Sequence, residues 1–385
     1  MSGESVVIRD SPLVIPQILR AHWRTATKEV ANFVAEPSTV KSEFARVFSV
    51  AQAAEEQKEF VEWNRMTTQR KEAVMADPAK FFIFADFRAS ETDIGELRLQ
   101  EMGNGKPYIT YKYAMLFEVL SKPEAMGVLF FDEMNLAPNM TKAQFYKVVN
   151  DHCIGDIPLS KDVMVISAGN EAQHARGVSE DPIPLVLRRG NYFLRSLTDT
   201  EYVDYSIQVG QHSLISGYIK YAPKDVHNID YDQHEGTGQP CPRTWTKLSN
   251  LLLANPDLDD DQVEMHARAF VGQGAAKKFV AYAKMAKKVD IDEILKKPEL
   301  VRDIKELQTL YAVITGVLER FRVQRVKVSE KVFEVALHME REELGAFLLR
   351  QMKVMAGKTQ FRNIAVQSKV FDDLVKHYGK FFNDA

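Results

Sequence analysis

The chain predicts an α/β protein: a parallel sheet covered on both faces by helices, followed by an all-helical second half. Three observations lead there. First, short runs that are almost wholly apolar, "VANFV", "KFFIFADFRA", "GVLFFDE" and "DVMVISAGN", alternate with stretches of helical spacing. Strands buried on both faces read as such continuous runs rather than as alternation. Second, three of these runs stop abruptly on polar residues: "AEPSTVKS", Asp132-Glu133 and Asn170. Third, strand signals fade after about residue 200, where only helical periodicity remains.

The elements follow in order. From Pro12 to about Ala26, Val14, Ile15, Ile18 and Leu19 share one helical face. Residues 30–34 form the first strand, and residues 41–76 read as one long polar helix. The aromatic run at 80–89 is the second strand, and "GNGKP" at 103–107 is a loop by its Gly and Pro content. "YAMLFEVLSKPEAM" is a helix ending near Lys122, before Pro123. The strand "GVLFFDE" leads into "TKAQFYKVVND", a helix capped by Thr141, and residues 162–170 form the next strand. "EYVDYSIQV", "SLISGYIKYA", "RTWTKLSNLLLA", "DQVEMHARAFV" and the last third of the chain are helical. The expected domains are an α/β domain over 1–198, a helical lid over 199–290 and a helical C-terminal extension over 291–385.

Bulk properties exclude several classes. Over 385 residues, hydrophobic residues are 45%, charged residues 27% and the formal net charge is −3, ordinary for a globular protein. Bulk charge gives no sign of a nucleic-acid binder. Cys153 and Cys241 fit neither a zinc spacing nor a disulfide framework, which suggests a reducing compartment. The start "MSGESVVIRDSPLV" lacks the pattern of a signal peptide, and no apolar run approaches the roughly 18 residues of a membrane span. The expectation is a cytoplasmic, soluble protein without a membrane partner.

Ligands of open parallel sheets sit at the carboxyl ends of the strands, so the polar strand ends carry the chemistry. "AEPSTVKSEF" follows the phosphate-binding frame of Gly, four residues, then Gly-Lys-Ser/Thr, with Ala35 and Val40 in place of both glycines and Lys41-Ser42 retained. The chemistry requires backbone N–H groups aimed at phosphate from a helix N-terminus, with Lys41 adding charge and Ser42 a magnesium ligand. Alone, Lys41-Ser42 reads more often as a plain helix start. Val40 is the harder replacement, because a β-branched residue disfavours positive φ. Phosphoryl transfer uses one acid for magnesium and a second for the attacking water, which Asp132 and Glu133 could supply. Asn170 could hold the water near the γ-phosphate; alone it reads as a turn former.

With these strand ends in this order the sequence resembles the AAA+ ATPases of the MoxR and dynein-related branch over roughly residues 10 to 290. "FVAEPSTVKSEF" resembles a degenerate Walker A segment, "FADFRASETDIGEL" the second strand with the acid and glycine that follow it (Asp93, Gly95), and "GVLFFDEMNLAP" the Walker B strand with its Asp-Glu-x-Asn/Asp tail. "CIGDIPLSKDVMVISAGN" resembles the hairpin insertion and sensor 1 strand, "DPIPLVLRRGNYF" the arginine-finger segment without its Phe, and "QPCPRTWTKLSNLL" the sensor 2 helix. The resemblance implies ATP and magnesium as cofactors. The backbone of Glu36, Pro37, Ser38, Thr39 and Val40 with Lys41 would bind phosphates; Ser42 and Asp132 would hold Mg²⁺; Glu133 would polarise the attacking water and Asn170 position it. Arg243 would reach the phosphates from the lid, and Arg188 or Arg189 would act as a finger on the neighbouring subunit. It further implies a homo-oligomeric, usually hexameric ring that remodels a protein client, with a von Willebrand A-type partner frequent in the branch. Two other readings stand beside it: a nucleotide-binding structural or regulatory ring subunit with weak or lost hydrolysis, motivated by the missing glycines, and a DNA-directed motor.

Other residues read as structural. His152, His174 and His234 form no metal-ligand cluster, and the 14 methionines suit core packing. Lys277, Lys278, Lys284, Lys287 and Lys288 read as a solvated helix face. Tyr108 and Tyr111, around the loop at 103–107, would line the pore of a ring.

Overall fold

A computed structural model of the chain describes residues 8–89, 98–101, 110–137, 139–171, 181–232, 236–324 and 326–383. The chain divides into two compact units, Met1–Ser196 and Leu197–Ala385.

In the first unit the strands are β1 (Ala31–Ala35), β2 (Glu59–Glu62), β3 (Phe81–Arg88), β4 (Arg98–Glu101), β5 (Thr110–Tyr113), β6 (Met126–Asp132), β7 (Cys153–Ile154), β8 (Ile157–Pro158), β9 (Val163–Asn170) and β10 (Gly190–Leu194). Six of them form one sheet in the order β10-β1-β9-β6-β3-β2, every pair parallel. β4–β5 and β7–β8 are small antiparallel hairpins outside it. This is the parallel α/β sheet the apolar runs predict, and helices cover both of its faces. On one face Ile83, Leu129, Phe131 and Val165 pack with Phe117, Phe145 and Val148. On the other, the helix Lys41–Glu55 buries Phe44, Ala45 and Phe48, and Trp23 lies between Phe48 and Phe82 with ring centroids 6.2 and 5.4 Å away. The sheet closes tightly at Gly127, paired with Ile83, where a Cβ would stand 2.0 Å from the Ile83 carbonyl oxygen. Only glycine permits that approach.

Two element expectations are corrected. The expected long helix over 41–76 is a helix (Lys41–Glu55), the strand β2 and a second helix (Thr68–Ala76). Gln57, at φ 55°, turns the chain out of the first helix. Phe60 and Val61 then favour the extended form, pairing with Phe82 and Ile83 at the sheet edge. The helix expected to be capped by Thr141 begins at Asn139, so Thr141 lies inside it. The β4–β5 hairpin was not foreseen; the predicted loop at 103–107 lies outside the described residues.

The second unit is helical, as expected. Its helices are Asp199–Gln208, Ser213–Tyr221, Pro242–Ala254, Asp260–Ala286, Ile291–Lys296, Leu307–Gln324, Val326–His338, Glu342–Ala356, Lys358–Val366 and Phe371–Asn383. Asp260–Ala286 bends at Gly272, at φ 77° and ψ 165°. Residues assigned in sequence to lid and extension pack together. A Cβ on Gly217 would stand 2.1 Å from Thr315 Oγ1, and Asp204 accepts from Gln351 at 3.0 Å and pairs with Arg350. Among the described residues, no helix is long and apolar enough to cross a membrane.

Candidate functional site

The site grows from the carboxyl ends of β1, β9 and β6, which lie side by side in that order. After β1 the chain makes a short loop, residues 36–40, and enters the 15-residue helix Lys41–Glu55. Ser38 has φ 66° and Val40 φ 53°, both left-handed. Left-handed residues in a turn point successive backbone N–H groups into a concavity suited to an anion, here at a helix N-terminus. Val40 adopts this conformation without a glycine, at a cost of order 1–3 kcal/mol that the surrounding structure must offset. Thr39, 2% exposed, donates to the Glu36 carbonyl and tightens the loop. The Glu36 carboxylate accepts from Ser196 Oγ at 2.8 Å.

Lys41 is 7% exposed. Its Nζ donates to the carbonyl oxygens of Ala35 and Glu36, each at 3.4 Å, and to Asn170 Oδ1 at 3.3 Å. The cation of the first strand end therefore meets the amide of the third. Asn170 is in turn clamped by Asn135, whose Nδ2 donates to the Asn170 carbonyl at 2.5 Å and whose Oδ1 accepts from the Asn170 N–H at 3.2 Å. Gly169 makes room for this clamp, since a Cβ there would stand 2.8 Å from the Asn135 amide. Lys142, 1% exposed, donates to the Asn135 carbonyl at 2.8 Å, and its burial lowers its pKa. Asn135 is a site residue that sequence reasoning did not assign, although it stands in the acid-rich tail of β6.

Asp132 ends β6, and its Oδ1 accepts from the Glu133 N–H at 3.0 Å. Glu133 follows at φ 54° and ψ 34°, a left-handed turn that ends the strand and leads into the short helical turn Met134–Leu136. A second unforeseen acid lies beside them. In the β3–β6 register Asp86 pairs with Phe130 and Arg88 with Asp132, so Asp86 and Asp132 share a sheet face as diagonal neighbours, a relation that places Cβ atoms roughly 7–8 Å apart. Asp86 Oδ1 is buried with no hydrogen-bond partner. Burial pushes the Asp86 carboxyl up to about 6, with the Asp132 charge adding to the shift and Arg88 opposing it. Its sequence signal was an acid inside the aromatic run "FFIFADFR".

The two candidate finger arginines have different surroundings. The Arg189 side chain is 3% exposed, pairs with Asp181 and donates from Nε to Asn191 Oδ1 at 3.0 Å. Arg188 is exposed, beside Ile183 at 73% and Leu187 at 79% exposure. In the second unit Arg243 is exposed on the first turn of Pro242–Ala254, which is anchored by buried Trp245, Leu248 and Leu252.

The remaining residues fall in place simply. His152 Nε2 contacts the Ser160 carbonyl at 3.1 Å, Lys278 pairs with Asp225, and Lys287 with Asp260. Cys153 and Cys241 are free thiols. Tyr111 is exposed on β5; Tyr108, His174, His234, Asp93 and Gly95 lie outside the described residues. Among the described residues, no three His, Cys, Asp or Glu side chains form a metal cluster.

The first unit is thus a six-stranded parallel sheet flanked by helices, with its polar strand ends side by side. No family model and no curated protein matches the chain. Solved structures similar to it include NtrX from Brucella abortus in complex with ATP, at 15% identity over 92% of this chain and 69% of that one, TM-score 0.33. Others are a mutant of RuvB from Thermotoga maritima, at 13% identity over 73% and 75%, TM-score 0.30, and C. elegans PCH-2, at 11% over 72% and 68%, TM-score 0.32. Likenesses this distant leave the chemistry to be judged from the strand order and the side chains themselves.

Proposed function

We propose that the protein is a magnesium-dependent AAA+ ATPase of MoxR type that works as a homo-oligomeric ring, a hexamer by the resemblance, and remodels a protein client. The observation that carries this reading is the link between strand ends: Lys41 bonded to Asn170 and Asn170 clamped by Asn135, next to Asp132 and Glu133. The left-handed Ser38 and Val40 support it, because a loop whose only task was to start a helix would have no reason to strain a valine.

Each residue then has a task. Backbone N–H groups of the loop and helix start receive the β- and γ-phosphates, and Lys41 exchanges its carbonyl partners for phosphate oxygens. The donors Ser42 Oγ and the Asp132 carboxylate suit magnesium, which needs only one or two protein oxygens beside phosphates and water. When bound, magnesium neutralises charge on the transferring phosphoryl group. Glu133 polarises the attacking water, Asn170 orients it, and Arg243 takes the phosphate-sensing role that the resemblance assigns it. Arg188 serves as the finger in a neighbour's site, because Arg189 is occupied by Asp181 and Asn191 in its own chain. Exposed Ile183 and Leu187 beside Arg188 give the neighbour an apolar surface to cover.

A second reading, a nucleotide-binding structural or regulatory ring subunit with weak or lost turnover, is motivated by the replacement of both loop glycines by Ala35 and Val40. A Glu133→Gln variant separates the two. The ATPase reading expects wild type to turn over ATP, and the variant to bind a fluorescent ATP analogue as tightly while losing turnover by about 100-fold or more. Tight binding without turnover in wild type supports the structural subunit. Stimulation of turnover by DNA would support a DNA-directed motor. A pull-down with the Glu133→Gln variant identifies the client, a von Willebrand A-type protein being the expected class.

A further inference from the structure

Asp86 has no task in the chemistry above, yet its position is costly. Strands disfavour aspartate, and this one sits in the β3 run "FFIFADFR" between Ala85 and Phe87, beside a sheet neighbour ending in another acid. One carboxylate oxygen is buried without a partner, and a buried polar atom left unpaired costs about 1–3 kcal/mol. The backbone N–H of Asp86 donates to Asn64 Oδ1 at 3.0 Å, which fixes the strand where it bears the acid. Of the cations that act on Asp86, Arg65 pairs with Glu62 at the end of β2, and Arg88 lies on the same face opposite Asp132. A purely structural position here would accept an apolar residue like its neighbours Phe82 and Phe84 on the same face. The face is also the one on which the helix Lys41–Glu55 packs, with Ser42 in its first turn.

We propose that Asp86 is a positioning residue for the divalent cation: its unpartnered oxygen belongs to the outer ring of acceptors around a cation held by Ser42 and Asp132. The inference rests on the magnesium reading given above and adds an acceptor outside its ligands. Magnesium keeps several waters when bound to proteins, and acceptors around that inner shell orient it. Loss of such an outer partner typically lowers metal affinity 10–100-fold. Asp86 therefore sets how much metal the nucleotide complex requires, without touching the nucleotide.

The test is Mn²⁺ binding followed by electron paramagnetic resonance, in the presence of a non-hydrolysable ATP analogue, for wild type and Asp86→Asn. A fluorescent ATP analogue is titrated in parallel in EDTA. The expected result is Mn²⁺ affinity at least about 10-fold weaker in Asp86→Asn, with metal-free nucleotide affinity unchanged. Asp86→Ser, smaller and still polar, is measured alongside and should show the same loss if the asparagine variant misfolds. Equal Mn²⁺ affinity in wild type and the folded variants overturns the role of Asp86 and leaves the magnesium reading standing. Wild type that binds nucleotide with no Mn²⁺ at all overturns both.

Discussion

At the scale of single residues, the site depends on backbone conformations that most side chains avoid. Val40 holds φ 53° where phosphate-binding loops carry glycine, and Glu133 holds φ 54° between Asp132 and the turn. The position of the Val40 problem was legible, because a valine replaces glycine at a fixed place in the frame. That the backbone would keep the left-handed form regardless was not, since sterics alone argue against it. Val40→Gly removes strain of about 1–3 kcal/mol and adds about 0.4–1 kcal/mol of unfolded-state entropy. The expected net is about 1 kcal/mol of added stability, a rise of roughly 2–4 °C in melting temperature for a unit this size, with tighter nucleotide binding. A lower melting temperature for Val40→Gly would show that the valine side chain contributes more packing than its backbone costs. Asp86 and Asn135 were illegible for a different reason. One hid inside an aromatic strand run and the other in a turn, and their significance comes from partners on other strands.

At the scale of elements, strands buried on both faces were easy to read because they are almost unbroken apolar runs, as in "GVLFFDE". β2 was missed because an edge strand is half solvated: "EFVE" carries two charges and resembles the helices on either side. Helix starts were poorly read: the one cap assigned from sequence, Thr141, lies inside its helix, and the caps at Thr198 and Asp259 were passed over. Thr198 and Asp259 form capping boxes with Glu201 and Gln262, the pattern expected of such residues. His212 is a less common cap. Its Nδ1 accepts from the Leu214 N–H at 3.3 Å, which needs a neutral ring, and burial lowers its pKa, with Arg322 adding to the shift and Glu319 opposing it. The native state therefore holds fewer protons than the unfolded chain below pH ~6.5. Stability from this group is present above that pH and falls as the pH drops. Between pH 8 and pH 5, His212→Ser, which keeps a capping oxygen, should lose less melting temperature than wild type, by roughly 2–4 °C for about 1 kcal/mol of capping energy. Parallel curves for the two proteins would remove His212 as the source.

At the scale of the whole molecule, two adjacent arginines divide the work between holding the fold and reaching outward. Sequence alone could not separate them, since both satisfy the spacing; burial does. Arg189→Ala leaves Asp181 buried without its cation and should cost about 3–5 kcal/mol of stability in thermal or denaturant unfolding. A change below about 1 kcal/mol would show that the pair is weakly coupled to the fold. Arg188→Ala, at an exposed position, should leave stability within about 0.5 kcal/mol. The central claim is that an ATPase site is completed by the Arg188 of a second copy, and a mixing experiment reads it directly. Steady-state ATP turnover is measured for Glu133→Gln alone, Arg188→Ala alone, and an equimolar mixture of the two. Each variant alone is expected to be nearly inactive. In the mixture, an Arg188→Ala subunit with an intact Glu133 can receive its neighbour's arginine, so turnover should recover to about a quarter of wild type for random head-to-tail assembly. A mixture as inactive as its parts, or Arg188→Ala alone turning over at the wild-type rate, would contradict the account.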